Sequence, residues 1–416
     1  MNPILPLNFY MPDAEPRIFG DTLYLYGSHD IYNSENYCEG ELYVAYAKLN
    51  DLTHFELKKI LTFDDSGHSF LEAGAFQAPD CIEFNGKYYL YDNRMKRPNC
   101  DVAISDSPLG PFKNYGCIQN KDGSPLDYRF FDPAIFIDDD NRIYLYTGFC
   151  PGKQSRFAKL ANPYSQVFEL EPDMKTVKAG PFDLIPGPLK SENTSFSNHP
   201  FFEASSMRKF NGKYYFIYSS ELSHELAYAV SDNPISGFEF KGTLISNANI
   251  GYENNTIYEL PWGNTHGSVE KINNDYYVFF HRQTSGRETA RQACVAKLKY
   301  SNNLFSQAEY TSLGFDEKLK LNKKINATYA SYLTSKKDNI KLTVGSLNDI
   351  DKQYATIKED ITNNDIHYIN IFDNAIVGFK YFDFSLAKSI KLKVKGKTGH
   401  INISQRVKRR SSAPGS

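Results

Sequence analysis

The sequence predicts an all-β chain: a five-bladed β-propeller, then a small β-sandwich too short to be complete. Three observations carry that prediction. A turn followed by an alternating aromatic strand recurs five times in the first three quarters. Aromatic residues make up 15% of the chain, with 30 Tyr and 30 Phe, and both favour strands. Helical periodicity is nearly absent over the same stretch, which removes an alternating strand–helix sheet.

The copies run in order. The first is Gly20-Asp21-Thr22-Leu23-Tyr24-Leu25-Tyr26, and the second Asn85-Gly86-Lys87-Tyr88-Tyr89-Leu90-Tyr91. Asp140-Asn141-Arg142-Ile143-Tyr144-Leu145-Tyr146 is the third. Asn211-Gly212-Lys213-Tyr214-Tyr215-Phe216-Ile217 and Asn273-Asn274-Asp275-Tyr276-Tyr277-Val278-Phe279 complete the set. Asn-Gly and Asp-Asn between apolar runs signal hairpins, because such turns need residues that tolerate positive φ. The equivalent tyrosines Tyr24, Tyr89, Tyr144, Tyr215 and Tyr277 are 65, 55, 71 and 62 residues apart. That period is a little long for one blade, and loops account for the excess.

Each repeat is preceded by an ionisable residue at nearly constant phase. Asp13, Asp80, Asp132, Glu203 and His266 lie 9 to 12 residues before the five tyrosines. The inner strands of a propeller line a central channel, so these residues are expected to converge at one end of it. Crowded there, they perturb one another's protonation. Converging carboxylates suit a hard cation or acid/base chemistry on a sugar bond. Taken singly, several have plainer readings. Asp13 and Asp132 both fit turns beside proline, Asp80 fits a structural role, and His266 fits a satisfied core histidine. Glu203 follows Phe201-Phe202, and apolar neighbours push a carboxyl toward its protonated form.

The blade entries Pro12-Asp13-Ala14-Glu15-Pro16, Ala78-Pro79-Asp80, Asp132-Pro133-Ala134-Ile135-Phe136, Phe202-Glu203-Ala204 and His266-Gly267-Ser268 resemble those of glycoside hydrolase family 43. The resemblance covers about residues 1–310. It implies an inverting exo-glycosidase acting on xylose- or arabinose-containing oligosaccharides, a β-xylosidase or α-L-arabinofuranosidase. An endo-arabinanase and a catalytically silent carbohydrate-binding propeller are the alternatives. A fructoside-cleaving propeller ranks low, because no Asn-Asp-Pro-Asn entry is found near the start. By the same resemblance Asp13 matches the general base, Glu203 the general acid, and Asp132 the carboxylate that tunes and orients that acid. His266 matches a channel histidine beside a calcium ion or its waters, so one structural Ca2+ is implied and no organic cofactor. Arg291 looks like a late arginine that reaches substrate. Asp80, Phe76 and Trp262 are candidate sugar contacts, although Trp262 fits core packing equally well. Gln77, preceded by Phe76, stands where many relatives carry Trp or Tyr directly before Ala-Pro-Asp, and Ala204-Ser205-Ser206 stands where many have Gly-Pro.

Composition bounds the partners. Lys plus Arg is 47 and Asp plus Glu is 49, a net charge of −2, which argues against nucleic-acid binding by bulk electrostatics. No run approaches 18 apolar residues, so no membrane span is expected. Cys38, Cys81, Cys100, Cys117, Cys150 and Cys294 are scattered, which reads as free thiols in a reducing compartment. The start, Met1-Asn2-Pro3-Ile4-Leu5-Pro6, has neither a basic nor an apolar leader region, so a cytoplasmic location is expected.

The length predicts two domains. The propeller is placed at 1–315, a carbohydrate-binding-module-like sandwich at 325–405, and a disordered tail at 406–416. Ile340-Lys341-Leu342-Thr343-Val344 and Ile390-Lys391-Leu392-Lys393-Val394 alternate like half-buried strands. Val377-Gly378-Phe379-Lys380-Tyr381-Phe382-Asp383-Phe384 resembles part of a family 6 carbohydrate-binding module.

Overall fold

The computed structural model describes residues 1–319, 324–334, 341–343, 354–360, 362, 366–383, 387–396 and 399–404. Five four-stranded antiparallel meanders follow one another along the chain. Blade 1 is Glu15–Phe19, Thr22–Gly27, Leu42–Lys48 and Glu56–Leu61. Blade 2 is Phe76–Phe84, Lys87–Arg94, Cys100–Ser105 and Lys113–Cys117. Blade 3 is Ala134–Ile137, Ile143–Thr147, Tyr164–Leu170 and Val177–Pro186. Blade 4 is Phe201–Phe210, Lys213–Ser220, Glu225–Ser231 and Glu239–Ser246. Blade 5 is Val269–Ile272, Asp275–Thr284, Arg287–Ser301 and Leu304–Ser306. The protein is a five-bladed β-propeller, and each repeat forms the first hairpin of a blade. At Asn85-Gly86 and Asn211-Gly212 both turn residues take positive φ, the geometry whose twist matches the flanking strands.

The aromatic excess fills the gaps between blades. Tyr24 and Tyr26 pack with Phe76 and Leu90 across the blade 1–2 interface. Tyr89 and Tyr91 pack with Ile135 and Leu145 across the next. Tyr144 and Tyr146 meet Phe201 and Phe216. Tyr215 and Tyr228 meet Val278 and Cys294. Sheets radiating from one axis diverge outward, so each interface widens and large rings fill it. All six cysteines are free.

The ring closes without a shared strand. Leu23 and Leu25 of blade 1 pack on Phe279 and Val295 of blade 5. The buried Asn2 side chain pins the chain start across this seam. Its amide donates to the carbonyls of Val295 at 2.8 Å and Thr311 at 3.0 Å, and its Oδ1 accepts the Val295 N–H at 2.9 Å.

Beyond the propeller, two short ribbons are described: Tyr332–Thr334 with Ile376–Gly378, and Thr356–Asp360 with Ile366–Asn370. Ala330, Leu333, Ala355 and Ile357 join the blade 4–5 core. Leu342 and Tyr354 make a small cluster of their own. The run at 390–394 is not a strand. It is coil with Ile390, Leu392 and Val394 exposed, so its alternation reflects no buried face. In the Val377–Phe384 stretch, Val377 and Gly378 end the second strand of the first ribbon. Ile340, Val344, Phe384 and the 406–416 tail lie outside the described residues. No helix among the described residues is long and apolar enough to cross a membrane.

Asn2→Ala should lower unfolding stability by about 2–4 kcal/mol in a urea titration, because each buried group left unpaired costs about 1–3 kcal/mol.

Candidate active site

The register of the five first hairpins fixes what meets at the channel mouth. Gln77 pairs with Asn93, and Glu203 pairs with Ser219. Both partners lie four residues past the repeat tyrosine. Continuing the other ladders to that rung sets Asp13 opposite Ser28, Asp132 opposite Gly148 and His266 opposite His281. The ring at the mouth is therefore Asp13, Gln77, Asp132, Glu203 and His266.

Asp80 does not belong to this ring. It pairs with Tyr91 one rung deeper, level with Glu15 opposite Tyr26. The discrepancy comes from β-bulges, which add residues between Gln77 and Asp80 and between Glu203 and Ser206. Counting along sequence therefore drifts against counting along the ladder. Ala78 and Ala204 sit in these bulges with φ of 45 and 66°, and Asp13 and Asp132 take φ of 57 and 48°. Positive φ at four non-glycine blade entries is stored strain of a kind that concentrates at functional sites. Gly267 solves a different problem: a Cβ there would lie 2.0 Å from the Phe279 carbonyl oxygen.

Asp13 is held on both oxygens. Oδ1 accepts from Arg291 Nη1 at 3.1 Å, and Oδ2 accepts from Ser28 Oγ at 2.8 Å. Arg291 is locked in turn by Asp30, through Nε at 2.8 Å and Nη2 at 2.9 Å. Burial alone would raise the Asp13 pKa, but Arg291 and the His266 imidazole outweigh it and hold it below the ordinary carboxylate value. His281 Nδ1 accepts the Asp13 backbone N–H at 3.3 Å, and Nε2 lies 2.9 Å from the Asn264 carbonyl. Burial and Arg291 push its pKa down to about 3, so this imidazole is neutral and makes no ion pair with Asp13.

The other two carboxyls shift upward. Asp132 accepts the Ala204 N–H at 3.0 Å, and its Oδ2 lies 3.5 Å from His266 Nδ1. Burial raises its pKa to about 6 despite His266. Glu203 is raised well above the ordinary value by burial first, then by Asp132, Asp13 and Glu288. The mouth thus biases Asp13 toward its ionised form and Glu203 toward its protonated form. That is the pairing that acid/base hydrolysis of a glycosidic bond requires.

The remaining candidates are placed elsewhere. Phe76 is 0% exposed, stacked on Phe63 at 4.8 Å with the Arg94 guanidinium 3.9 Å over its ring, so it is core and offers no face to a sugar. Asp80 is consumed by Arg17, at 2.9 and 2.6 Å, and by the N–H groups of Ile135 and Cys81. Trp262 stacks on Tyr258 at 5.1 Å with Lys341 Nζ 5.3 Å from its ring centre. Arg291, by contrast, stands at the mouth, bonded to Asp13 and Asp30. Ser28 and His281 lie four residues past Tyr24 and Tyr277, on the second strands of their hairpins and outside the blade-entry motifs. Asp30 and Glu288 carry no signal of this kind, because they come from loops and outer strands.

The calcium that the resemblance implies would be held here through His266 and waters, not by a cage of side chains. Among the described residues, no three His, Cys, Asp or Glu side chains are arranged to hold a metal ion. His266 Nδ1 faces Asp132 and Asp13, at 3.5 and 3.8 Å. Below the mouth the cations are guanidinium groups: Arg17 on Asp80, and Arg208 Nη2 on Glu15 at 2.6 Å.

Comparison with known proteins agrees with this geometry. Residues 1–305 match the family model of glycosyl hydrolases family 43. A xylosidase/arabinosidase of Thermoclostridium stercorarium is 37% identical over 95% of this chain and 85% of its own length. A β-xylosidase of Xylanibacter ruminicola is 30% identical over 70% of this chain and 94% of its own. Among solved structures, RS223 β-xylosidase superposes with a TM-score of 0.57 at 26% identity, covering 73% of this chain and 97% of that one. A compost-metagenome β-xylosidase/α-arabinofuranosidase, solved with xylotriose in a calcium-free form, shares the fold at 24% identity, with a TM-score of 0.57 over 73% of this chain and 97% of that one. With its motifs, its ladder and its family model in agreement, the chain belongs to glycoside hydrolase family 43.

Proposed function

We propose that the protein is an inverting exo-glycosidase that releases xylose or arabinose from oligosaccharides. The observation that carries this reading is the opposite displacement of two carboxyl pKa values in one ring, Asp13 down and Glu203 up. Asp13 takes a proton from water, whose oxygen attacks the anomeric carbon. Glu203 gives its proton to the departing glycosidic oxygen as the C–O bond breaks, and the anomeric configuration inverts. Asp132 holds Glu203 protonated by repulsion, and its bond to the Ala204 N–H fixes it beside the acid. Arg291 orients Asp13 and keeps it ionised. One relative named xylosidase/arabinosidase and one named β-xylosidase support a pentose glycone.

Release of nitrophenol from aryl β-D-xylopyranoside and aryl α-L-arabinofuranoside tests it. Turnover of one or both is expected, and no turnover of either sinks the reading. Glu203→Gln should cut kcat by roughly 10²–10⁴-fold while ligand binding persists.

The pH profile of kcat/KM should be bell-shaped. Its acid limb, from Asp13, should lie below the ordinary carboxylate value, and its alkaline limb, from Glu203, well above it. Asp132→Asn removes the charge that raises Glu203, so the alkaline limb should move to lower pH. A raised folded pKa means the native state binds more protons than the unfolded chain, so stability falls as pH rises toward that pKa. Glu203→Gln abolishes this loss, and its Tm should exceed that of the wild type above neutral pH.

A further inference from the structure

The strand Thr356–Asp360 touches two segments that shape the mouth. At one end the Ile357 carbonyl accepts the Ser285 N–H at 2.8 Å, and Lys358 Nζ lies 3.3 Å from the Ser285 carbonyl. Ser285 and Gly286, with φ of 58 and 67°, form the hairpin turn that starts the arm carrying Glu288 and Arg291. At the other end the Tyr32 hydroxyl accepts the Glu359 N–H at 3.0 Å and donates to the Glu359 carbonyl at 3.1 Å. The Glu359 carboxylate accepts from Tyr10 at 2.8 Å, and Tyr10 stacks on Tyr32 at 5.7 Å. Tyr10 is itself bonded to Asp30, whose N–H donates to the Tyr10 carbonyl at 3.0 Å.

The two segments also bind each other. Arg287 Nη1 donates to the carbonyls of Asn33 and Ser34, at 3.1 and 3.2 Å, and Thr289 Oγ1 donates to Ser34 at 2.7 Å. A closed frame results: the blade 1 loop carries Asp30, the blade 5 arm carries Arg291, and the strand from beyond the propeller ties both. Asp30 and Arg291 are the pair that clamps Asp13.

We infer that Tyr32 and Glu359 are positioning residues for catalysis, and that the chain past the propeller acts as a brace on the Asp30–Arg291–Asp13 clamp. This rests on the functional reading above. The brace touches no substrate. It limits the freedom of two loops whose registration aims the carboxylate that activates water, and misplacement of a reacting group by about 1 Å costs up to about 100-fold in rate.

The test is a double-mutant cycle in the full chain. Tyr32→Phe, assayed on the aryl glycoside that the wild type cleaves, should lower kcat about tenfold with KM changed less than about twofold. In an Asp30→Asn background the same change should cost nothing further, because the clamp is already broken. Independent, multiplying losses would overturn the inference, as would full kcat in folded Tyr32→Phe. If that variant does not fold, Glu359→Gln replaces it, with a smaller loss of kcat in the same direction. Hydrogen exchange supplies a readout free of turnover. The amides of Asp30 and Cys38, bonded to Tyr10 and to Asp30, should exchange faster in the variant while blade 3 amides do not change. Wild-type exchange rates at both would overturn the brace. If the wild type cleaves neither glycoside, the functional reading fails, and exchange still decides whether the brace exists.

Discussion

Closing five sheets into a ring forces the mouth-level rungs of their inner hairpins into one space, and three of those rungs bring carboxyl groups. Desolvation and mutual repulsion push all three toward their protonated forms, which works against a base. The Arg291 guanidinium breaks this symmetry by bonding to Asp13 alone. Because Asp30 and Cys38 take its Nε and Nη2 donors, Arg291 is not free to swing toward Asp132 or Glu203. Asp13 therefore stays charged, and the remaining two carry the repulsion upward. One fixed cation divides chemically similar groups into a base and an acid.

Below the mouth the same problem has a different solution. Glu15, Asp80 and Glu270 line the channel one or two rungs deeper, each within 4.0 Å of Arg17 or Arg208. Ser206 and Ser268 fill the space between, their hydroxyls 2.6 Å apart. These rungs hold interleaved charges with hydrogen-bonding partners, whereas the mouth holds crowded carboxyls. Function and scaffold occupy adjacent layers of one set of strands.

The repeat made the propeller legible, because hairpin turns and aromatic alternation are local signals. Asp13, Asp132, Glu203 and His266 were legible for the same reason, each being an ionisable residue at a constant offset from a tyrosine. Asp80 met that criterion and still missed the ring, because bulges change the relation between offset and rung. Nothing in the residue string marks a bulge at Ala78 or Ala204. Phe76 was aromatic at the right place, but a pattern cannot show that Arg94 and Phe63 cover its ring. Asp30, Glu288 and the Tyr32–Glu359 contact come from long-range closure, joining residues up to 327 positions apart. The alternation at 390–394 shows the converse error, a periodic string with no partner surface to bury.

The seam between blades 1 and 5 gives the Asp13–Arg291 pair a second meaning. Asp13 lies eleven residues after the Asn2 pin, and Arg291 four residues before Val295, which Asn2 grips. The two halves of the pair ride on opposite lips of a joint that no covalent bond crosses. A chain still emerging from the ribosome, or one whose joint has been sprung by heat, separates them. It then holds three carboxyls with no cation to sort them. Catalytic competence is in this sense a checkpoint on assembly: the active site is electrically complete only when the last blade has met the first.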